Sequence, residues 1–526
     1  MNFLRFLIVA TLALAATRRL PAAGARHVVM VVWDGMRPDF ITEENTPTLF
    51  RLRRDGVYFR NHHSVFVSST EVNGVALGTG MLPRSSGVMA NREFRPAINP
   101  QQAIAIEDEA AGRRGDALTG GHYLQAATVA EILRAQTPAR TTAIAGSKPV
   151  ARLLDRKERP GPQPAVLLAE GTTLPPGVGP ELTGELGAFP AINRTKIDRD
   201  HWTTRALVEK FWAKGVPDFS VLWLAEPDWT QHETGPGSPA SLAAIHHSDE
   251  ELAVVLGALA TRNVLADTDI LVVSDHGFST IDRVADVAAD LSRAGLSAGR
   301  ALTGPPAAGS VLVVGNGGSA NLYVAGHDAA ATARAIRMLQ AKPYTGVIFT
   351  RSAVPGTFPL SLAGIDTAEA PDIVIAFRWS GSTSGTGAPG LLVSEAAGGR
   401  VAGQGTHASL SPYDLRNTLV ASGPDFLRAM VDELPSGNAD LAPTVLWLLG
   451  VKPPVPMEGR VLVEALRGGG PAPTSFDTTR HEATAPVGGA RWRQYLKIST
   501  VSGRHYVDEG NGELLERGSD LTPGAR

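Results

Sequence analysis

Long apolar runs that each end on an acid set the rhythm of this chain. Residues His27 to Trp33 read HVVMVVW, an almost unbroken apolar stretch that stops at Asp34. Parallel strands covered by helices on both faces look like this, and polar groups gather at their carboxyl ends. Phe219 to Leu224 and Asp269 to Ser274 repeat the pattern and deliver Asp228 and Asp275. Thr141 to Ala145 is a shorter strand of the same kind. Between them lie helical patterns: Thr46 to Asp55, with Thr46 as N-cap and Pro47 in the first turn, then Asn73 to Met81, Gln125 to Ala135, Asp198 to Ala213 and Ser241 to Thr261. Strand, acid-bearing loop and helix recur, which predicts an α/β fold with a mainly parallel central sheet and helices on both faces.

From about Thr280 to Arg400 the rhythm changes. Ser310 to Val314 and Asn321 to Val324 read as a strand pair, Asp328 to Gln340 as a helix, and Asp372 to Phe377 as a strand. This stretch is expected to be an inserted α+β cap. Ser380 to Ala388, SGSTSGTGA, reads as a flexible loop. The core resumes near His407, with a helix over Leu441 to Leu449. A Gly/Pro linker over Gly468 to Thr474 leads to a C-terminal β-hairpin, Arg491 to Thr500 and Arg504 to Val507, around Ser502-Gly503. The expected division is residues 1–25 as signal peptide, 26–283 as the first part of the core, 284–398 as cap, 399–468 as the second part of the core, and 469–526 as linker and hairpin extension.

Composition narrows the class. The 526 residues exceed one ordinary core, and 43% apolar with 19% charged content suits a well-packed globular protein. A net charge of -3 gives no footprint for nucleic acid. With Cys at 0, neither disulfides nor thiolate metal sites are available. Arg5 followed by the short apolar stretch Phe6 to Ala16 and small residues through Ala25 reads as an export signal, too short to span a bilayer comfortably. A periplasmic or secreted bacterial protein is the expectation, with no stable membrane span after cleavage. Oligomeric state has no sequence signal.

The candidate chemistry lies at the strand ends. Asp34, Asp228 with His232 four residues on, Asp275-His276, and His407 in the Gly405-Thr406-His407 run are hard and borderline donors that suit zinc and similar cations. Together with Thr70, these seven groups could hold two metals about 4 Å apart and leave a hydroxyl as nucleophile. The spacing of Asp228 and His232 fits one face of a helical turn or a loop after a strand. Thr70 precedes Asn73 in VSSTEVNGVALGTG, and a helix N-terminus there would offer free N–H groups and a dipole that favour an anion. Asn73, one turn later, could donate its amide to a phosphoryl oxygen. His62, His63, His246 and His247 lack a strand-end partner and read as solvated.

In this order, the segments VVWDGMRPD, TPTLFRLRRDGV, STEVNGVALGTGMLPRSSGV, EPDWTQHETGPGSP, VVSDHGF, APDIVIAF, GQGTHAS and LAPTVLWLLGVKPP resemble the alkaline phosphatase superfamily. Within it the chain is most similar to the type I phosphodiesterase / nucleotide pyrophosphatase family. The resemblance implies an alkaline phosphatase-like core and two Zn2+ ions, one on Asp228, His232 and His407 and one on Asp34, Thr70, Asp275 and His276. It further implies Thr70 as nucleophile with a phosphothreonine intermediate, Asn73 on the phosphoryl group, and a small-molecule phosphoester as substrate. Nucleotide-cleaving members commonly place an aromatic residue after the nucleophile, where this chain has Glu71, an acid that would repel a second anion. GSKPVARLLDRK resembles the lysine-bearing segment of phosphonoacetate hydrolases and some zinc monoesterases, so Lys148 could meet a second anionic group or simply be solvated. Those monoesterases carry Arg two residues later, where Val150 stands here. A sulfatase is excluded, since Thr70-Glu71-Val72 lacks the Cys/Ser-x-Pro-x-Arg context. The readings left open are phosphodiester hydrolysis, a phosphonate or phosphomonoester substrate, and a non-catalytic metal-binding protein on the same scaffold.

Overall fold

The computed structural model describes residues 25–156, 165–193 and 195–515. Residues 1–24, which carry nearly all of the expected export signal, lie outside the described residues. No helix among the described residues is long and apolar enough to cross a membrane.

The apolar run His27–Trp33 is the middle of a nine-stranded sheet among the described residues. It is parallel to Thr268–Val273 on one side and to Phe219–Leu224 on the other, so that Met30 lies opposite Leu271 and Val221. Thr142–Gly146 and Ala165–Ala169 extend the parallel part, while Leu419–Ser422 and Thr172–Leu174 run antiparallel. Alternation along the central strand explains its unbroken hydrophobicity. Val28, Met30 and Val32 pack under the helices Thr70–Thr79, Val129–Gln136 and Leu441–Leu448. Val29, Val31 and Trp33 pack under Pro47–Asp55, Ile197–Arg205 and Pro239–Thr261. Both faces are covered, as the period-free apolar pattern requires.

Helix ends follow local chemistry. The amphipathic stretch expected from Gln125 begins at Val129, because Thr128 and Glu131 form a reciprocal capping box there. The helix Ile197–Arg205 continues as a wider π-type turn over Ala206–Phe211.

The later part of the chain builds a six-stranded sheet with the order Ala298–Gly299, Val311–Gly315, Ser319–Val324, Ile373–Phe377, Thr345–Thr350, Phe358–Pro359. The helix Ala329–Gln340 packs on it. The expected flexible loop over Ser380 to Ala388 is corrected. Its first half belongs to the strand Trp379–Thr383, which pairs antiparallel with Pro389–Glu395. The Gly/Ser composition hid this, since an exposed edge strand needs no apolar alternation. The C-terminal hairpin is likewise part of a larger unit. Asp477–Val487, Ala490–Val501 and Arg504–Leu515 form a three-stranded antiparallel sheet, whose first strand is polar and half-exposed and gave no pattern.

This last sheet is built into the molecule. Gln494 accepts a hydrogen bond from the Ile348 N–H at 2.8 Å and donates to the Ile348 carbonyl at 3.1 Å, mimicking a strand neighbour. Trp492 is fully buried among Ile375, Phe377 and Ala485, and its Nε1–H donates to the Gly356 carbonyl at 3.0 Å. Trp492→Ala is expected to lower stability by about 3–5 kcal/mol through the cavity left behind. Chemical denaturation checks this, and a loss below ~1 kcal/mol would show the sheet to be dispensable to the fold.

Candidate active site

Asp34, Asp228 and Asp275 follow three strands that are immediate neighbours in the sheet, so their carboxylates meet at its carboxyl edge. Backbone bonds lock the meeting point. The Gly35 N–H donates to Asp275 Oδ1 at 3.0 Å, the Asp228 N–H to the Asp34 carbonyl at 2.9 Å, and Gln231 Nε2 to the Gly35 carbonyl at 2.9 Å. Gly35 has φ +72°, and a Cβ there would stand 3.1 Å from Asp228 Cα, so both its conformation and its space demand glycine. A Cβ on Gly277, after Asp275-His276, would collide with the Tyr413 carbonyl. The loop alternative for Asp228 and His232 gives way to the helical one: Asp228–Thr234 is a short helix and the two residues share a face. His407 comes from far along the chain, returned by pairing of Gly405–Thr406 with Ser279 and Thr280.

The three imidazoles are oriented alike. Nδ1 of His232, His276 and His407 lies 2.9, 2.9 and 3.0 Å from the carbonyls of Gly405, Gly277 and Ser68. Carbonyls only accept, so each Nδ1 carries the proton and each Nε2 presents a lone pair. All three Nε2 atoms face the carboxylates. Those of His232 and His407 are 3.3 and 3.6 Å from Asp228 Oδ1. That of His276 is 3.3 Å from Asp275 Oδ2, 3.6 Å from Asp34 Oδ1 and 3.2 Å from Thr70 Oγ1. Thus all seven residues named from the sequence as candidate ligands converge on one cleft. Two groups in it, Asp34 with Asp275 and His276, and Asp228 with His276 and His407, have donor atoms close enough to share an ion. Asp34 Oδ1, Asp228 Oδ1 and Asp275 Oδ2 are buried without a hydrogen-bond partner.

Lys148 is not the solvated lysine its surroundings in sequence allowed. It is nearly buried, with Nζ 2.8 Å from Asp34 Oδ2 and 3.1 Å from Asp228 Oδ2. The charges then sort themselves. Burial would raise Asp228, but the Lys148 ammonium and His232 outweigh it and hold its carboxyl well below the usual range. Burial and the neighbouring Asp275 push Asp34 well up. Burial carries Asp275 to about 6. Burial lowers Lys148, yet Asp228, Asp34 and Asp275 together raise it well above its ordinary value. Burial, with His276 and His232 nearby, pulls His407 well down and keeps its imidazole neutral.

Thr70 begins the helix Thr70–Thr79 and is almost buried. Glu71 beside it is buried too, and desolvation with Glu107 nearby raises its carboxyl well above the usual range. A carboxyl held toward its neutral form repels an anion less than a surface glutamate would. The expected role of Asn73 is corrected. Its Nδ2 donates to the Val65 and Ser69 carbonyls at 3.1 and 3.0 Å, and its Oδ1 accepts from the Val65 N–H at 2.7 Å and Asn438 Nδ2 at 2.9 Å. No amide hydrogen remains for a phosphoryl oxygen. The side chain pins the approach to Thr70 instead.

His62 and His63 are also corrected. Both are buried in a short strand paired with Ser436–Gly437. His62 Nε2 donates to Asn438 Oδ1 at 2.9 Å, and burial drives its pKa down to about 3. Asn438 in turn donates to the Asp275 carbonyl at 2.7 Å, so this histidine supports the cleft from behind. Three contributors had no sequence signal: Asn438, Trp223, whose Nε1–H donates to Asp34 Oδ2 at 2.8 Å, and Asn91, whose Oδ1 accepts the Glu71 N–H at 3.2 Å beside Thr70. Each reaches the site from an element with an ordinary core or loop pattern.

A sequence-family model described as type I phosphodiesterase / nucleotide pyrophosphatase matches residues 28–407. Venom phosphodiesterase of Naja atra is 22% identical over 259 residues, 48% of this chain and 26% of that protein. Human ectonucleotide pyrophosphatase/phosphodiesterase family member 1 is 22% identical over 250 residues, 46% of this chain and 22% of that protein. The match therefore spans about a quarter of these curated relatives. The solved structure of murine ectonucleotide pyrophosphatase / phosphodiesterase 5 superposes with a TM-score of 0.58 at 18% identity, covering 82% of this chain and 97% of that one, which shows a shared fold.

Asn73→Ala should cost roughly 2–3 kcal/mol of stability by orphaning the buried Val65 N–H and Asn438 amide. Denaturation curves check this. An Asn73→Ala protein as stable as the parent would reinstate the side chain as free to touch substrate.

Proposed function

This chain belongs to the type I phosphodiesterase / nucleotide pyrophosphatase family, and on that premise we propose that its cleft hydrolyses phosphodiester bonds with Thr70 as nucleophile. The observation that carries the reading is the convergence of three imidazole Nε2 atoms and three carboxylates in one cleft, with the Thr70 hydroxyl 3.2 Å from His276 Nε2. The donor set fits a pair of divalent cations, zinc by its mixture of imidazole and carboxylate, and the three unpartnered carboxylate oxygens are the atoms such ions would engage. Asp228, His232 and His407 would hold one ion, and Asp34, Thr70, Asp275 and His276 the other. When bound, such a pair supplies Lewis-acid charge beside the phosphoryl oxygens.

The chain's own groups account for the rest. Thr70 Oγ1 attacks phosphorus in line. The new Oγ1–P bond forms as the bond to the leaving alcohol breaks, the hydroxyl proton passes to solvent, and the departing oxygen takes a proton from solvent. Water then cleaves the phosphothreonine, releasing a phosphomonoester and restoring the hydroxyl. The N-terminal end of the Thr70–Thr79 helix carries the positive end of its dipole, which favours an anion beside Thr70. Among the described residues Lys148 is the lysine ion-paired with the cleft carboxylates, and in this reading it meets a phosphoryl oxygen. The phosphonate and monoester readings rest on the same lysine. Its two carboxylate partners leave less free positive charge than a phosphate dianion asks for, which favours the diester. A secreted or periplasmic location belongs to this reading, from the pattern of residues 5–25.

Purified protein should carry close to two zinc ions per chain and prefer bis-p-nitrophenyl phosphate to p-nitrophenyl phosphate. Thr70→Ala should abolish turnover while metal content stays nearly intact. Metal-free, stable and inactive protein would support a binding role. Strong preference for the monoester would overturn the diester assignment, and full activity of Thr70→Ala would remove Thr70 as nucleophile.

A further inference from the structure

A cavity of about 490 Å³ opens beside the cleft, on the side of His232 and His407, both of which line it. Thr70 and Lys148 are not among its lining residues. Its walls are rich in cationic and amide groups: Asn91, Arg92, Asn316 and Arg400. Arg300 also lines it, but is occupied by Asp286 and Glu395 at 2.9 and 2.7 Å. Arg400 is different. It forms no ion pair among the described residues, and its Nε–H is buried without a partner. Asn316 Nδ2 is buried and unpartnered in the same cavity. Burial disfavours the guanidinium charge, and Asp228 and Glu233 oppose that only through space. Native proteins rarely leave such donors unsatisfied unless a ligand or water completes them. The fork of a guanidinium suits carboxylate or phosphoryl oxygens.

In an in-line displacement the leaving group departs opposite the nucleophile. Thr70 stands beside His276 and does not line this cavity, whereas His232 and His407 do; on the reading above, the leaving group departs toward these two histidines. Resting on the phosphodiesterase reading above, we propose that the cavity is a leaving-group subsite selective for a departing group that carries its own anion, with Arg400 as the residue that determines this specificity. The Asn316 amide adds a second donor, and Arg92 adds positive charge at the rim.

Two diesters with the same retained group test this: phenyl 4-nitrophenyl phosphate and phenyl 3-carboxy-4-nitrophenyl phosphate. The metal-loaded enzyme should favour the carboxylate-bearing ester in kcat/KM by about tenfold or more, the scale of one charge-assisted hydrogen bond. Arg400→Gln should bring the ratio close to one, and Arg400→Lys should retain part of it. A second measurement needs no turnover. Calorimetric titration of the metal-loaded protein with 2-nitrobenzoate should show binding that its uncharged methyl ester lacks and that Arg400→Gln weakens about tenfold. Phenylphosphonate in the same titration distinguishes the anion: tighter binding than 2-nitrobenzoate assigns a phosphoryl-bearing leaving group, weaker binding a carboxylate-bearing one. Equal rates on both diesters together with binding unchanged in Arg400→Gln would overturn the subsite and leave the phosphodiesterase reading standing. Arg400-dependent binding without turnover of either diester would keep the anion subsite and overturn that reading.

Discussion

Three carboxylates held side by side in a nearly dry cleft are the constraint from which the rest of the molecule follows. Asp34 and Asp275 have no solvent exposure and Asp228 has 4%. Burying like charges together is costly unless cationic charge answers them. Among the described residues Lys148 is the lysine ion-paired with them, to Asp34 and Asp228, and an oxygen of each of the three acids is left without a partner. The arrangement suits a receptor for positive charge. The sheet enforces it, because parallel neighbours are spaced about 4.8 Å apart and their ends come together.

Two kinds of support keep that receptor in shape. Backbone carbonyls fix the proton on Nδ1 of all three histidines, so that each Nε2 is a ready donor and none needs to rotate. Behind them, Asn73, Asn438 and His62 form a closed relay of hydrogen bonds from the entry of the Thr70 helix to the backbone of Asp275. The C-terminal sheet braces the same region. Tyr506 donates to Asp440 Oδ2 at 2.9 Å, and Asp508 lies 3.1 Å from His63 Nε2.

The surroundings of the cleft are asymmetric. On one flank Glu71, Glu107 and Lys148 form a buried group of both signs next to Thr70. On the other, an arginine-rich cavity meets His232 and His407. A substrate with unlike ends has distinct surroundings for each, a basis for selectivity that does not depend on the reacting centre itself.

The sequence alone determined the strands, their apolar character, the acids at their ends and the family to which the segments belong, since continuous hydrophobic runs and glycine-flanked ligands are local signals that survive in one dimension. It could not assign Asn73, whose residue type suits catalysis and structure equally until its four partners are seen. Nor could it place His62 and His63, buried by residues more than 370 positions away. The polar strand Asp477–Val487 went unread because only its neighbour's register makes it a strand. What tertiary structure decided was proximity and pairing: whether a lysine is solvated or clamped between carboxylates, and whether an arginine has a partner. Those depend on distances across the fold, and residue type fixes only what a group can do once something stands beside it.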